Sequence, residues 1–406
     1  MTTQTGSLSL FHLLDPDVLA NPYPLYAQLR QESPVMWDRF LHAWVLTRYD
    51  DVVEVLGRFG AECTPTPDRL TELGMQRLAP VAEIMVKQML FMDPPQHRRV
   101  RGLASHAFTA RRVEQLRDHI RDIADGLIDR VVAHGAMDLM SDFAGPLPAI
   151  VSAEMLGLPT QDHEQLKEWS QTFAQILGNF QNNPDGIDDV LNATSDMTEY
   201  LQHALARHAD EPTVGLIGLL SQVRVQGDQL TREEVIANTI ITMVGAMETT
   251  TNLIGNGLVT LLRNPSALEQ LRDDPAILPS AIEELLRYES PSQQTTRIAP
   301  EDLVLGGQQI ERGQSVIAVI GAANRDPDRF ADPDRLDLNR QDNRHLAFGW
   351  GPHFCFGAPL GRIEAQIAFE ALLTRLPELE LGGGPLQWRE NLKLRGLEKL
   401  AIRWQA

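Results

Sequence analysis

Only two of the 406 residues are cysteines, Cys63 and Cys355. Cys355 stands in "HLAFGWGPHFCFGAPLGRIEAQ", His345 to Gln366, among glycines and aromatics. Glycine permits positive φ and the close approach of a backbone to a ligand. Beyond the cysteine, Leu360, Ile363, Ile367 and Ala371 recur three or four residues apart, which predicts a helix from Ala358 to about Leu376. Pro359 is tolerated in its first turn. Cys355 therefore falls at or just before a helix N-terminus, where free N–H groups and the helix dipole favour a thiolate. Such a sulfur serves as a metal ligand or as a nucleophile, with His353 as the base in the second case. The third option is an inert buried thiol. Zinc is poorly served, because no second cysteine is near and His345 and His353 are badly spaced for it.

A second group of reactive types lies in "MVGAMETTTNLIGNG". Thr231 and Glu234 form a capping box that opens a helix running to Asn264-Pro265, about 30 residues or roughly 45 Å. Gly245 and Ala246 share a face with Thr249, and their small size would let a flat cofactor approach. Glu248 and Thr249 would relay protons there. The alternative is a buried helix whose threonines bond back to carbonyls. "EELLRY" places Glu284 and Arg287 three apart on a predicted helix over 279–289, and "DPPQHRRVR" places His97 and Arg101 four apart on another.

The order of residues in "FGWGPHFCFG" closely resembles the heme-binding loop of the cytochrome P-450 superfamily, F-G-x-G-x-H-x-C-x-G, at every fixed position. The resemblance makes Cys355 the axial iron ligand, with Phe348 and Gly349 in the cradle of the cofactor. Thiolate ligation pushes electron density onto iron and favours O–O cleavage. "GAMET" is similar to the family's oxygen-activation motif, with Ala246 in place of a second glycine, which gives Glu248 and Thr249 the catalytic roles. Glu284 and Arg287 take the place of the family's structural pair, and "DPDRLDLNR" supplies Arg335 as its third member, with Leu336 where Phe is usual. His97, Arg101, Arg297 and His353 match the contacts to the heme propionates, where cations neutralise carboxylates. By the same resemblance the substrate would be lined by Ile84, Met85, Met89, Trp169, Phe173, Phe180, Gln293 and Gln294. The match is to the bacterial type and runs from "NPYPLYAQLR" to the C-terminus; Phe356 and Gly361 are small departures.

The elements that must hold these groups read as mainly α with a minor β component. "PVMWDRF" and "AWVLTRY" predict a hairpin, followed by a short helix over 50–57. Residues 61–90 read as irregular, and 94–210 as helical with breaks near Gly135, Pro159 and "NNPDG". Strands and turns follow over 291–340. No repeat or linker divides the chain, so one domain over 1–406 with the P-450-like helix-rich prism is expected. The 43% hydrophobic content is ample for a core, and the net charge of -19 argues against nucleic acid as a general partner. No basic leader with an apolar stretch, no run of about 18 apolar residues and no disulfide framework appear, which fits a reducing cytoplasm and no membrane.

The resemblance implies a monooxygenase that hydroxylates or epoxidises a small, largely apolar molecule, in secondary metabolism or catabolism, with heme b (iron protoporphyrin IX) as cofactor. No nucleotide-binding fingerprint appears, so its electrons come from a separate partner, a ferredoxin with its reductase or a flavodoxin. Two alternatives keep the heme: a peroxide-driven peroxygenase and a non-enzymatic heme-binding protein. A cysteine hydrolase would have none.

Overall fold

The computed structural model describes residues 8–65, 67–72, 74–178, 186–210 and 215–405. Near the N-terminus, β1 (Val35–Asp38) and β2 (Ala43–Leu46) form the expected hairpin with Trp37 opposite Trp44. The helical body follows: α1 (Gln96–Ala107), α2 (Arg117–Asp129), α3 (Pro146–Leu156), α4 (His163–Gly178) and α5 (Ile187–Asp210). Then come α6 (Arg232–Leu262), α7 (Leu278–Tyr288), β3 (Thr295–Ile298), β4 (Ser315–Ala318) and α8 (Ala358–Arg375). A last hairpin pairs β5 (Gln387–Trp388) with β6 (Leu397–Lys399). Residues 61–90, expected to be irregular, contain short helical turns, including Ala79–Met85 with Pro80 in its first turn. Proline carries the φ a first turn needs and lacks only an N–H that would be unbonded there anyway. Of "NNPDG", all but Gly186 lies outside the described residues.

Helix α6 is the axis of the fold. Its capping box is closed in both directions, Glu234 N to Thr231 Oγ1 at 3.2 Å and Thr231 N to Glu234 Oε2 at 2.9 Å. Most of its residues are buried, because it is covered by α3, α4 and α8 on different sides. A helix apolar on nearly all faces is stable in water only when enclosed in this way. Gly257 allows the closest of these contacts: a Cβ there would lie 2.7 Å from the Phe369 ring of α8. Helix α8 also packs on α2 and α7. The four-stranded sheet, ordered β1-β2-β4-β3, joins the N-terminal hairpin to the chain before the cysteine loop; β2 runs parallel to β4, and β3 antiparallel to it.

A buried ion cluster fixes that chain. Arg287 Nε and Nη2 donate to the two oxygens of Glu284, each at 2.8 Å, and both side chains are fully buried. Arg287 Nη1 also donates to the carbonyls of Asn324 and Pro333. Glu284 accepts further bonds from Asp337 N at 2.9 Å, Asn343 Nδ2 at 3.2 Å and Arg340 Nε at 3.1 Å. The third member is therefore Arg340, not Arg335. Arg335 is exposed and contributes only its carbonyl, which accepts from Arg287 and Arg340. Four residues separate the two arginines along an irregular segment, and spacing does not reveal which one turns inward. Without Arg340, Glu284 would keep its two-point pair with Arg287 and lose one charge-assisted hydrogen bond, and the Ala331 carbonyl would lose its donor. Arg340→Ala is expected to lower unfolding free energy by about 1.5–3 kcal/mol, the range for a lost hydrogen bond to a charged group, and Arg335→Ala to stay within about 0.5 kcal/mol. Urea unfolding of the two variants tests the assignment, and the reverse ranking would return the role to Arg335.

Candidate active site

The cysteine loop lies over the start of α8. Cys355 N donates to the Phe348 carbonyl at 2.7 Å, which closes the loop on itself. Gly349 and Gly351 take φ of 72° and 68°, where a side chain would be strained. At Gly351 an added Cβ would also meet Gly57 Cα at 3.0 Å. Burial pushes the Cys355 thiol up, while N–H groups of Gly357 and Ala358 and the charges of Arg101 and Arg362 pull it down. Arg362 is held by a two-point pair with Glu283, at 2.7 and 2.8 Å, and its guanidinium covers the Phe348 ring at 4.5 Å. Burial alone would raise the Glu283 carboxyl, but Arg362 and His345 outweigh it and hold it at about 2.

The four basic residues expected around the propionates gather beside this loop. The rings of His97 and His353 lie 4.0 Å apart. Burial and the neighbouring His97, Arg297 and Arg101 push His353 down to about 3, so it is neutral at physiological pH. Burial, followed by Arg101, also lowers His97. Arg101 donates to the Phe354 carbonyl at 2.5 Å and lies in the field of Cys355. Arg297 is buried on β3, donating through Nη1 to Thr295 and Thr296. Two buried donors here, His97 Nε2 and Arg297 Nε, have no hydrogen-bond partner. Buried donors without acceptors are costly, and a pair of carboxylates on a bound group would satisfy them. On α6, Gly245 is exposed in the midst of a buried helix, with nothing within 4 Å of where its Cβ would be. Ala246 and Thr249 keep partial exposure on the same side. An open strip of small residues, a sulfur at a helix end and two unpartnered buried nitrogens, one of them on a guanidinium, together fit a flat dianionic cofactor.

The acid and the hydroxyl of α6 do not meet directly. Thr249 Oγ1 donates to the Gly245 carbonyl at 2.7 Å. Glu248, about 100° further round the helix, is buried and paired with Arg389 at 2.9 Å. Burial raises its carboxyl, opposed by Arg389, Gln171 and Lys167. Arg389 belongs to the C-terminal hairpin, 141 residues away, and no spacing in the sequence points to it.

Several of the expected lining residues do other work. Phe173 has no exposed surface and packs in the core that contains Met197, Leu201 and Met243. Trp169 stacks edge-on to Tyr200. The amides of Gln293 and Gln294 hold backbone: Gln293 Nε2 donates to the Ser290 carbonyl at 2.7 Å, and Gln294 Nε2 to that of Leu392 at 2.9 Å. Each amide thus holds backbone through its Nε2, while the Oε1 atoms of both are buried without a hydrogen-bond partner. Met85 and Met89 are buried in the same core as Phe173, and Ile84 packs partly exposed against it. Phe180 lies outside the described residues.

Comparison with known proteins now places the chain. The model of the family "Cytochrome P-450" matches residues 28–381. Cytochrome P-450 107B1 of Saccharopolyspora erythraea is 40% identical over 96% of this chain and 98% of its own. Cytochrome P-450 monooxygenase PikC of Streptomyces venezuelae is 39% identical, over 99% and 97%. Among solved structures, P450BioI in complex with hexadec-9Z-enoic acid ligated acyl carrier protein superposes with a TM-score of 0.90 at 36% identity, covering 96% of this chain and 99% of that one. The chain belongs to the cytochrome P-450 family. It is a heme-thiolate monooxygenase whose cofactor is heme b. No helix among the described residues is long and apolar enough to cross a membrane.

One acid of this region was not singled out from sequence. Glu364 on α8 is fully buried, with no charged partner among the described residues and only the Thr250 hydroxyl beside its carboxyl. It lies four residues after Leu360 on the apolar stripe, so the helix period was the signal available. Burial, only partly offset by the Thr250 hydroxyl, raises its pKa from 4.5 to about 8. With the folded value above the unfolded one, the native state binds more protons between the two. Stability is then highest below the unfolded value and falls as pH rises towards the folded one. Glu364→Gln is expected to remove this loss. Its advantage over the wild type should grow between pH 5.5 and 7.5 by at most about 1.4 kcal/mol per pH unit, read from unfolding at each pH. A pH-independent difference would mean that a cation pairs with the carboxyl.

Proposed function

We propose that Cys355 is the axial ligand of heme b and that His97, Arg101, Arg297 and His353 hold its propionates. The heme supplies oxygen activation when it is bound and reduced, and one oxygen atom enters substrate. The carrying observation is the pair of buried donors without acceptors, His97 Nε2 and Arg297 Nε, beside a sulfur held at a helix end. Ala246, Phe348 and Gly349 would flank the cofactor on its two sides. Thr249 would orient water on the open face of α6. Glu248, kept high by burial, is the proton reserve, and its pairing with Arg389 governs when it releases a proton.

The substrate would be a small, largely apolar molecule modified by hydroxylation or epoxidation, in biosynthesis of secondary metabolites. Relatives with such names support this reading: the mycinamicin IV hydroxylase/epoxidase of Micromonospora griseorubida and the polyketide biosynthesis cytochrome of Bacillus subtilis. Electrons would come from a ferredoxin and its reductase. The docking face would be the cysteine side, where Arg98 and Arg111 are exposed and free of ion pairs among the described residues. Arg99 and Arg362 are neutralised by Glu234 and Glu283 and add little. A cytoplasmic setting goes with such a carrier.

Thr249→Ala, driven by ferredoxin and its reductase, is expected to keep heme binding and substrate affinity while diverting most reducing equivalents to hydrogen peroxide. The measurement is product formed per NADPH consumed. Equal coupling in mutant and wild type would contradict the role of Thr249. Turnover with added peroxide and none with ferredoxin would favour the peroxygenase reading.

A further inference from the structure

Three side chains meet on the flank of the cysteine loop. Glu283 stands on α7, Arg362 on α8, and His345 on the chain that enters the loop. Arg362 Nε donates to Glu283 Oε1 at 2.7 Å, and its Nη2 donates to Oε2 at 2.8 Å. His345 Nδ1 accepts from Ala347 N at 3.2 Å, so the ring proton is on Nε2, which donates to Glu283 Oε2 at 3.2 Å. Both oxygens of Glu283 are therefore engaged, and the His345 side chain, 3% exposed, cannot swing away. Glu283 is the one acid that pairs with Arg362 among the described residues. The two helices do not need this pair to hold together, because Ala281, Ile282 and Leu285 of α7 share an apolar core with Ile363 and Ile367 of α8.

What the trio holds is the face of Phe348. The Arg362 guanidinium carbon lies 4.5 Å from the ring centroid, and a cation is attracted to that face of an aromatic ring. The rings of His345 and Phe354 close on Phe348 at 5.9 and 6.2 Å. Phe348 is also the residue whose carbonyl accepts from Cys355 N at 2.7 Å. The charge of Arg362 thus rests on the residue bonded to the cysteine's own peptide. The guanidinium sits between the carboxylate and the ring, so the cation of the pair faces the loop. From far away the pair is neutral. At short range the nearer charge dominates, because the interaction falls with distance. Arg362 and Glu283 are 33% and 29% exposed, so water screens them only in part. The sulfur and the guanidinium lie in each other's field.

We propose that Glu283 is a positioning residue for electron uptake: by holding Arg362 flat on Phe348 it keeps one positive charge beside the ligand sulfur and so raises the reduction potential of the bound heme. The inference rests on the proposed ligation by Cys355 and deepens it by naming what sets the iron's affinity for an electron. In the step concerned, the carrier gives up one electron, the iron passes from ferric to ferrous, and no bond breaks. A nearby cation stabilises the added electron, and charge and hydrogen bonding around the sulfur are levers by which a protein sets such a potential.

The test is the midpoint potential of the heme-loaded full chain, titrated with dithionite and mediator dyes, in wild type, Arg362→Gln, Arg362→Lys and Glu283→Gln. The spectrum of the reduced carbon monoxide complex is recorded for each. Arg362→Gln should shift the ferric–ferrous equilibrium about tenfold towards ferric, a midpoint about 59 mV lower for a one-electron couple. Glu283→Gln still accepts hydrogen bonds but no longer offsets the cation, and should shift the equilibrium towards ferrous. Arg362→Lys keeps the charge without the planar fork, and should fall between wild type and Arg362→Gln. Opposite signs are the signature, because a pair that only fastened the loop would move both variants the same way or neither. The proposal is overturned if Arg362→Gln and Glu283→Gln leave the midpoint unchanged or shift it in one direction. Loss of the long-wavelength Soret band in Arg362→Gln would make the residue a support of ligation and overturn it as well. If Arg362→Gln yields no holoprotein, the sign of the shift in Glu283→Gln decides alone. A wild type without the long-wavelength band would refute thiolate ligation itself, and the positioning role with it.

Discussion

The fold is organised around keeping a sulfur ready to carry negative charge inside the protein. Burial works against the Cys355 thiolate, and the local structure opposes burial with the N–H groups of Gly357 and Ala358 and the charges of Arg101 and Arg362. Those N–H groups face the sulfur only because α8 begins there, and the loop before it bends back through Gly349 and Gly351 to bond with Phe348. Helix α8 must in turn be immobile, and its packing on α2, α6 and α7 provides that. The Glu284–Arg287–Arg340 cluster extends the constraint, because it fixes the carbonyls of Asn324, Pro333 and Arg335 on the path into the loop.

A second demand falls on the open side of α6. A helix enclosed by protein on most faces leaves Gly245 uncovered and Ala246 and Thr249 partly so. Next to it the C-terminal hairpin brings in three cations. Two of them pair with the acids Glu248 and Glu289 and thereby tie the end of the chain to its middle. One irregular segment thus supplies the charge that opposes burial at Glu248.

What was legible beforehand had a local signature. The loop around Cys355 is contiguous, and the long helix announced itself by its capping box and its apolar length. The hairpin at 35–46 and the helices at 49–58 and 278–288 followed from alternation and period. What was not legible depends on contacts between distant segments. Arg340 and Arg335 are equivalent on paper, and only the path of the chain turns one inward. Gln293 and Gln294 looked like free amides because the carbonyls they serve were not visible. Phe173 is apolar on an amphipathic helix, which fits a pocket wall or a core equally well, and burial decides for the core. Arg389 lies in a stretch without periodicity, so its pairing could not be inferred.

The central claim is that the Cys355 sulfur is the iron's axial ligand, and the spectrum of the reduced carbon monoxide complex tests it most directly. The wild type should show the long-wavelength Soret band that a strongly donating thiolate produces. Cys355→His should retain heme through the propionate contacts and lose that band for one at shorter wavelength. A variant that keeps the wild-type band, or a wild type that never shows it, would contradict the account.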